Sequence, residues 1–143
     1  MNEIKLLDKK EISAFKINQL EKKFNIELPN DYKDWLLKNG VGYPKPDVFT
    51  IGEKSEVLNN LLDFDKAEYG NVYEVLEDIE DRLPSTLFPF GEDPFGNLLC
   101  FDYSDNQSVV YWNHEMLDNN GHNTVFVAQS FTDFINSLYF DNE

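Results

Sequence analysis

Apolar residues recur at the spacing of an α-helix near the start of the chain. Ile17, Leu20 and Phe24 fall on one side of residues 12–24, with polar and charged residues between them, which predicts a first helix that ends just after Phe24. Residues 28–40 begin with Leu-Pro-Asn-Asp, which suits the first turn of a helix, and end with Asn-Gly, which suits a helix end. Two consecutive helices are therefore predicted before residue 41.

The central part of the chain is predicted to be mixed. Glycine and proline breaks indicate a loop over residues 41–46, and Val48–Ile51 has the composition of a short strand. A short helix is predicted over residues 55–62. Residues 71–83 carry an apolar stripe with acids on the other sides, which predicts an amphipathic helix that Pro84 ends.

The later part of the chain is predicted to be mostly strand. Residues 97–103 and 108–112 are β segments joined by a turn-forming Ser-Asp-Asn-Gln sequence, so they predict an antiparallel hairpin. Residues 124–128 predict another strand, and Ser130 followed by Asp133 resembles the capping box of a final helix. Helices come first, strands follow without strict strand–helix alternation, and a helix closes the chain, which indicates an α+β fold.

Length and composition favour one folded domain over residues 1–143. The chain is 41% hydrophobic and 15% aromatic, which is enough to build a core. Cys100 is the only cysteine, so no intramolecular disulfide can form. Neither a signal-peptide pattern nor an apolar run long enough to span a membrane is found. These observations predict a cytoplasmic protein.

The charged residues are unevenly distributed. Every Lys and Arg lies at or before Arg82. Residues 1–47 carry nine lysines and eight carboxylates, whereas residues 48–143 carry three cations and nineteen carboxylates, and the net charge is −15. A negative field repels phosphate backbones and anionic lipids and speeds encounter with cationic partners. The charge argues against nucleic-acid or membrane binding and favours a basic protein partner, unless it serves only to keep the protein soluble.

The acids of the helix predicted over residues 71–83 are the main candidates for partner binding. Like charges at one-turn spacing oppose helix stability, and Arg82 is the only cation near them in the sequence. A solvated helix face explains these acids without a partner, and a partner-facing role is the alternative. Further acids along the chain extend the same predicted surface. The candidate residues are Glu74, Glu77, Asp78, Asp81, Glu92, Asp93, Asp102 and Asp105.

The chain offers few groups for catalysis or metal binding. His114 and Glu115 are adjacent, but neighbouring residues on a strand point to opposite faces, and no Ser or Cys lies in a recognisable nucleophile turn. His122 is the only other histidine, which is too few for a zinc set. Residues 102–113 match only part of a calcium loop, because the sixth residue is not Gly and the twelfth is not Glu. No catalytic residue, cofactor or metal site is predicted.

Four blocks of sequence, taken in order, resemble the SUKH superfamily. They are residues 28–40 (LPNDYKDWLLKNG), 90–102 (FGEDPFGNLLCFD), 110–115 (VYWNHE) and 130–135 (SFTDFI). The resemblance covers about residues 12–140 and lies in the order and spacing of the blocks. It implies an α+β fold with a single, mainly antiparallel sheet backed by helices, in a domain shared with a yeast cell-wall assembly regulator.

The resemblance also implies a function. Many bacterial members are cytosolic immunity proteins that bind and neutralise a toxin, and many of those toxins are nucleases. A nuclease presents a basic surface to its substrate, so an acidic inhibitor suits it and is steered toward it. The sequence thus favours a non-enzymatic immunity protein whose partner is a cognate toxin. The alternatives are an intracellular regulatory scaffold that binds other proteins and, from another class, an enzyme that uses His114 and a carboxylate.

Overall fold

The computed structural model describes residues 3–79, 82–114 and 124–141. Within these residues, every ladder between named strands is antiparallel. The predicted α+β class is confirmed. The elements in chain order are β1 (Lys5–Lys10), α1 (Ala14–Phe24), α2 (Asn30–Asn39), β2 (Val41–Lys45), β3 (Val48–Ile51), β4 (Lys54–Val57), β5 (Asn60–Leu61), α3 (Val72–Ile79), β6 (Leu87–Glu92), β7 (Leu98–Asp102), β8 (Ser108–Trp112), β9 (Thr124–Ala128) and α4 (Phe131–Ser137).

Five strands form the central sheet, in the order β5-β6-β7-β8-β9. Two smaller ladders, β1–β2 and β3–β4, pair outside it. The single sheet implied by the family resemblance therefore corresponds to the five-stranded sheet, and the other four described strands pair separately. The β7–β8 hairpin joins Leu98 to Trp112 and Asp102 to Ser108, as the hairpin prediction required.

The central sheet has two apolar faces, because successive side chains of a strand point in opposite directions. One face belongs to the main core, which also holds buried residues of α1, α2 and α4; its members from β7 and β8 are Leu99, Phe101, Val109 and Tyr111. The other face joins the sheet to α3. Its buried members are Ile79, Leu87, Leu98, Cys100, Val110 and Trp112, with Val75 and Leu83 packed against them. Burial of both faces explains why β7 and β8 are nearly continuous apolar runs.

Aromatic rings fasten α2 and α4 to the sheet. Tyr32 of α2 contacts Phe101 of β7 and Phe131 of α4, with ring centroids 5.0 and 4.9 Å away. Phe90 of β6 stacks on Phe101 at 4.5 Å. Such pairs contribute about 0.5–1.5 kcal/mol each beyond the area that they bury. The two helices are therefore held on the face that carries the main core.

Local signals locate the helix ends well. α1 begins after Ser13, whose hydroxyl accepts a hydrogen bond from the Lys16 amide, and ends at Asn25, which adopts the left-handed conformation. α4 begins after Ser130, whose Oγ accepts a hydrogen bond from the Asp133 amide at 3.1 Å, as the capping-box prediction required. These ends were predictable because a cap depends on residues only a few positions apart.

Two predictions for the central part of the chain are wrong. Residues 41–46 contain strand β2 and are not a loop, and residues 55–62 contain parts of β4 and β5 and no helix. The cause is pairing with distant segments. β1 pairs with β2 across more than thirty residues, and the amide of Asn59 donates to the carbonyl of Glu92 at 2.8 Å.

Strands β1 and β6 have no counterpart among the predicted elements. β1 packs beside Gly40, the residue just before β2. Gly40 has a φ of +81°, which suits glycine, and a Cβ at this position would collide with the carbonyl oxygen of Lys10 in β1. Strand β6 contains Pro89, and proline argues against an interior strand. The register shifts between Pro89 and Gly91, however, and a bulge is one of the few places where a sheet tolerates proline.

Candidate protein-interaction site

Helix α3 lies against the central sheet and is started by Asn71. The Asn71 Oδ1 atom accepts a hydrogen bond from the Glu74 amide at 2.8 Å, which satisfies one of the free donors of the first turn. Val75 and Ile79, one turn apart, pack onto the sheet. The apolar side of the helix is therefore used for packing, and the polar sides remain for solvent or a partner.

The described acids of α3 are all exposed. Glu74, Glu77 and Asp78 face solvent, while Asp81 lies outside the described residues. This exposure is what a partner-facing helix requires. A solvated helix face without a partner has the same exposure.

A groove of about 590 Å³ lies between α3 and the end of α1. Glu74 and Glu77 line it on one side, and Lys23 and Lys66 also line it. The Lys66 Nζ atom is 4.9 Å from the centre of the Tyr73 ring, a cation–π distance. Because the groove carries both signs of charge, its charge favours neither a basic nor an acidic occupant.

The β6–β7 loop is built around Asp93. This carboxylate is only 4% exposed. Its Oδ1 accepts hydrogen bonds from the amides of Phe95 and Asn97 at 2.9 and 2.8 Å, and its Oδ2 accepts from Asn97 Nδ2 at 3.1 Å and from the Tyr111 hydroxyl at 2.7 Å. A buried carboxylate needs such partners to offset its desolvation. The prediction that Asp93 belongs to an exposed surface is corrected: its side chain holds the loop from inside.

Asn97 extends this network to His114. The Asn97 Nδ2 group donates to Asp93 and to the Tyr111 hydroxyl at 2.9 Å, so Asn97 Oδ1 is the acceptor for the His114 amide at 3.1 Å and for His114 Nδ1 at 2.8 Å. Because a carbonyl oxygen has no hydrogen to give, Nδ1 carries the proton of this contact. The arrangement supports a structural role for His114, which secures the loop to the end of β8.

Glu92 stands at the same end of the sheet, opposite Asn60 of β5. Burial raises the pKa of the Glu92 carboxyl; a hydrogen bond from Asn60 lowers it, and the neighbouring Asp93 carboxylate raises it further. The net direction is upward. Glu92 is therefore a half-buried acid whose charged form is disfavoured by its surroundings.

The opposite end of β7 carries Asp102 and Asp105. Asp102 Oδ1 accepts hydrogen bonds from the amide and hydroxyl of Ser104 at 2.9 and 2.6 Å, and Asp105 Oδ2 accepts from Ser108 Oγ at 3.0 Å. These contacts stay within the turn itself, as hydrogen bonds of turn-forming Asp and Ser do. Asp105 is exposed and Asp102 is half-buried.

The candidate acids do not form one surface. Glu92 lies opposite Leu98 and Asp102 lies opposite Leu87 in the β6–β7 ladder. At about 3.3 Å per residue, the two ends of this ladder are about 16 Å apart. The structure therefore brings Glu92 close to Asp93 and Asp102 close to Asp105, but it separates the two pairs.

The ion pairs lie in another part of the molecule. Within the described residues, Lys10 pairs with Glu68, Lys16 with Asp65, Lys33 with Glu21 and Glu27, and Lys45 with Asp47. All of these residues precede α3. Among residues 3–79, 82–114 and 124–141, no candidate acid takes part in an ion pair. From residue 72 onward the sequence has one cation, Arg82, and fourteen carboxylates, so most of the uncompensated negative charge belongs to α3 and the residues that follow it.

A family match covers most of the chain. The sequence model of SUKH_6, described as SMI1-KNR4 cell-wall, matches residues 15–135. This chain belongs to the SUKH family. The resemblance carried by the four sequence blocks is thereby confirmed, and the family includes toxin-immunity proteins.

Individual relatives support the same assignment. This SUKH protein is 26% identical to the SPbeta prophage-derived uncharacterized protein YokK of Bacillus subtilis (strain 168), over 85% of its own length and 72% of the relative. A crystal structure of a protein from Pseudomonas syringae pv. tomato superposes with a TM-score of 0.52 and 17% identity, covering 79% of this chain and 76% of the other. At that identity the second likeness concerns the fold alone.

The described residues also bear on metal binding, thiol reactivity and membrane spanning. In the described ranges, no three His, Cys, Asp or Glu side chains are grouped so that they could hold a metal ion. Cys100 is fully buried, and burial raises the pKa of its thiol, which disfavours a reactive thiolate. None of the helices in the described residues has the length and apolar character needed to cross a membrane.

The sequence pattern alone did not single out Phe95. This side chain is 73% exposed at the tip of the β6–β7 loop, between Pro94 and Gly96. Gly96 has a φ of +88°, so the chain turns sharply just after the phenylalanine. A phenylalanine enclosed by Pro and Gly has no helix or strand face on which to be buried, and that signal could have identified it.

Proposed function

We propose that this SUKH protein is an immunity protein that binds a cognate bacterial toxin and neutralises it by covering a basic surface, with a nuclease-type toxin as the partner. The observation that carries the proposal is the location of the uncompensated acids. Lysines and carboxylates pair with each other before α3, whereas the candidate acids have no cationic partner among the described residues. A partner with a basic surface would supply the cations that these acids lack.

The electrostatic side of the proposal follows from what a nuclease must do. Such a toxin attracts phosphates and therefore carries a cationic surface. A protein with a net charge of −15 is attracted to that surface over a distance comparable to the Debye length, about 8 Å at physiological salt. Attraction of this kind raises the association rate more than it lowers the dissociation rate. Rapid capture is what protection from a toxin demands.

Family membership supports the same function, because SUKH proteins include toxin-immunity proteins. A relative that is prophage-derived is compatible with a gene carried on mobile DNA. The proposed partner-facing acids that remain exposed or half-buried are Glu74, Glu77, Asp78, Glu92, Asp102 and Asp105.

Co-expression tests the proposal directly. A candidate toxin domain from a neighbouring gene is induced in a sensitive host, with and without the SUKH protein, and growth is followed. Rescue of growth is the expected result. Failure to rescue, with both proteins present at equal levels, contradicts the immunity function for that pair and favours the regulatory-scaffold alternative.

The role of α3 needs a control for net charge. Reversal of Glu74, Glu77 and Asp78 to Lys should slow association with the purified toxin domain and flatten its dependence on salt. Three exposed acids elsewhere, reversed together, change the net charge by the same amount and should slow association less. The control set is Glu11→Lys, Asp34→Lys and Glu53→Lys. Equal rates for the two triple variants would exclude α3 as the steering face.

A further inference from the structure

Phe95 is a large apolar side chain held in solvent. It is 73% exposed, and the residues on either side of it, Pro94 and Gly96, are exposed as well. Single exposed apolar residues are common, so exposure alone says little. The loop that carries Phe95, however, is one of the most heavily hydrogen-bonded turns in the described part of the chain.

The support of this loop lies inside the protein. Asp93 accepts a hydrogen bond from the Phe95 amide at 2.9 Å, and the amide of Asp93 donates to the Asn97 carbonyl at 2.9 Å. Tyr111 and His114 then secure Asp93 and Asn97 from β8 and from the residues just after it. Burial of the Asp93 carboxylate costs desolvation energy, which its hydrogen bonds offset. The result is a fixed loop backbone beneath the exposed Phe95 ring. A loop whose backbone is already fixed loses little conformational entropy when a partner covers it.

Acidic side chains lie at and near this loop. Glu92 and Asp93 lie at its base, and Glu56 is near enough to help raise the pKa of the Tyr111 hydroxyl, which is raised mainly by burial and then by Asp93. Lys and Arg are absent from the sequence after Arg82. A second copy of the chain would bring the same negative charge to the contact, so the occupant that fits is a cationic protein.

We propose that Phe95 is the apolar anchor of the partner interface and inserts into an apolar pocket, rimmed by basic side chains, on a cationic protein. This inference rests on the proposed function and names the contact residue for it. Aromatic side chains in rigid surroundings are the usual centres of binding energy, and a surrounding ring of polar contacts excludes water from them. The half-buried acids nearest the loop, Glu92 and Glu56, would meet the basic rim.

The test uses the toxin domain of the co-expression experiment, purified as an inactive variant. Phe95→Ala should weaken its binding at least tenfold, mainly through faster dissociation. Phe15→Ala is the matched control, because Phe15 is 68% exposed on α1, away from the loop. The control should leave the affinity within about twofold. Thermal unfolding of both variants should match that of the unmodified protein, since neither ring is packed.

A second readout follows the ring itself. In the Phe95→Trp variant, tryptophan emission should shift to shorter wavelength when the toxin domain binds, beyond any shift of the unmodified protein, because the ring moves from water into an apolar pocket. Equal binding by Phe95→Ala and the unmodified protein overturns the anchor while leaving the proposed function in place. Absence of binding by the unmodified protein overturns both.

Discussion

The two ends of strand β7 use aspartate in opposite ways. At the β6–β7 end, Asp93 is buried and accepts hydrogen bonds from a neighbouring strand as well as from its own loop. At the β7–β8 end, Asp105 is exposed and accepts a hydrogen bond from Ser108 within the turn. At the first end, buried hydrogen bonds hold the loop that carries the exposed Phe95 ring. At the second end, the hydrogen bonds of Asp105 stay within a surface turn. The same residue type therefore has a structural role at one end and remains available to solvent at the other.

The largest expected difference between the two ends is in stability. Asp93→Ala leaves the Tyr111 hydroxyl, the Asn97 amide group and two backbone amides without their acceptor, so the free energy of unfolding should fall by about 3 kcal/mol. Asp105→Ala, at the exposed turn, should cost less than about 0.5 kcal/mol. Urea unfolding of the two variants measures both values. Equal losses in the free energy of unfolding would contradict a structural role that is confined to Asp93.

The hydroxyl groups of Tyr111 in β8 and Tyr103 in the β7–β8 turn should differ in the same direction, with smaller losses of stability. The Tyr111 hydroxyl donates to Asp93 at 2.7 Å and accepts from Asn97 at 2.9 Å inside the protein, so Tyr111→Phe should cost about 1–2 kcal/mol. The Tyr103 hydroxyl donates to the Glu27 carbonyl at 2.8 Å near the surface, where water can replace it. Tyr103→Phe should cost about 0.5 kcal/mol. Denaturant midpoints, compared at an unchanged m-value, test whether Tyr111→Phe loses more stability than Tyr103→Phe.

Charge reversal compares the two ends as binding surfaces. If the partner docks on the Phe95 loop, Glu56→Lys should slow association with the toxin domain by about threefold or more, because Glu56 lies near the Tyr111 hydroxyl under that loop. Asp105→Lys changes the net charge equally at the far end and should slow it by less than about twofold. Stopped-flow association rates at low salt distinguish them. A larger effect from Asp105 would move the interface to the β7–β8 turn.

The smallest expected effect is a pH dependence at Glu92. Burial raises the pKa of this carboxyl above that of an unfolded chain, so its contribution to stability is complete at pH values below the ordinary glutamate pKa and is lost as pH rises through the raised value. Glu92→Gln removes that loss and keeps an acceptor for Asn60. The variant should therefore be slightly more stable than the unmodified protein at neutral pH, with no advantage in acid. The exposed Glu77→Gln, unfolded in urea across the same pH range, is the control.

Some features followed from the sequence because they depend on neighbours along the chain. The end of α1 after Phe24 and the start of α4 at the Ser130 cap were both predicted, and the β7–β8 hairpin depends on its own turn residues. The uneven charge is a property of composition. The order and spacing of four blocks was enough to identify the family. Each of these signals is local or additive, so no three-dimensional information was needed.

Only the tertiary structure decided which acids face solvent. Asp93 is buried because Tyr111, eighteen positions later, reaches its carboxylate, and β2 is a strand because β1 lies beside it. The sequence places Glu92, Asp93, Asp102 and Asp105 within one short segment, yet the β6–β7 ladder sends them to opposite ends of the sheet. Burial and pairing depend on contacts between segments far apart in the chain, and a pattern read along the chain does not contain those contacts.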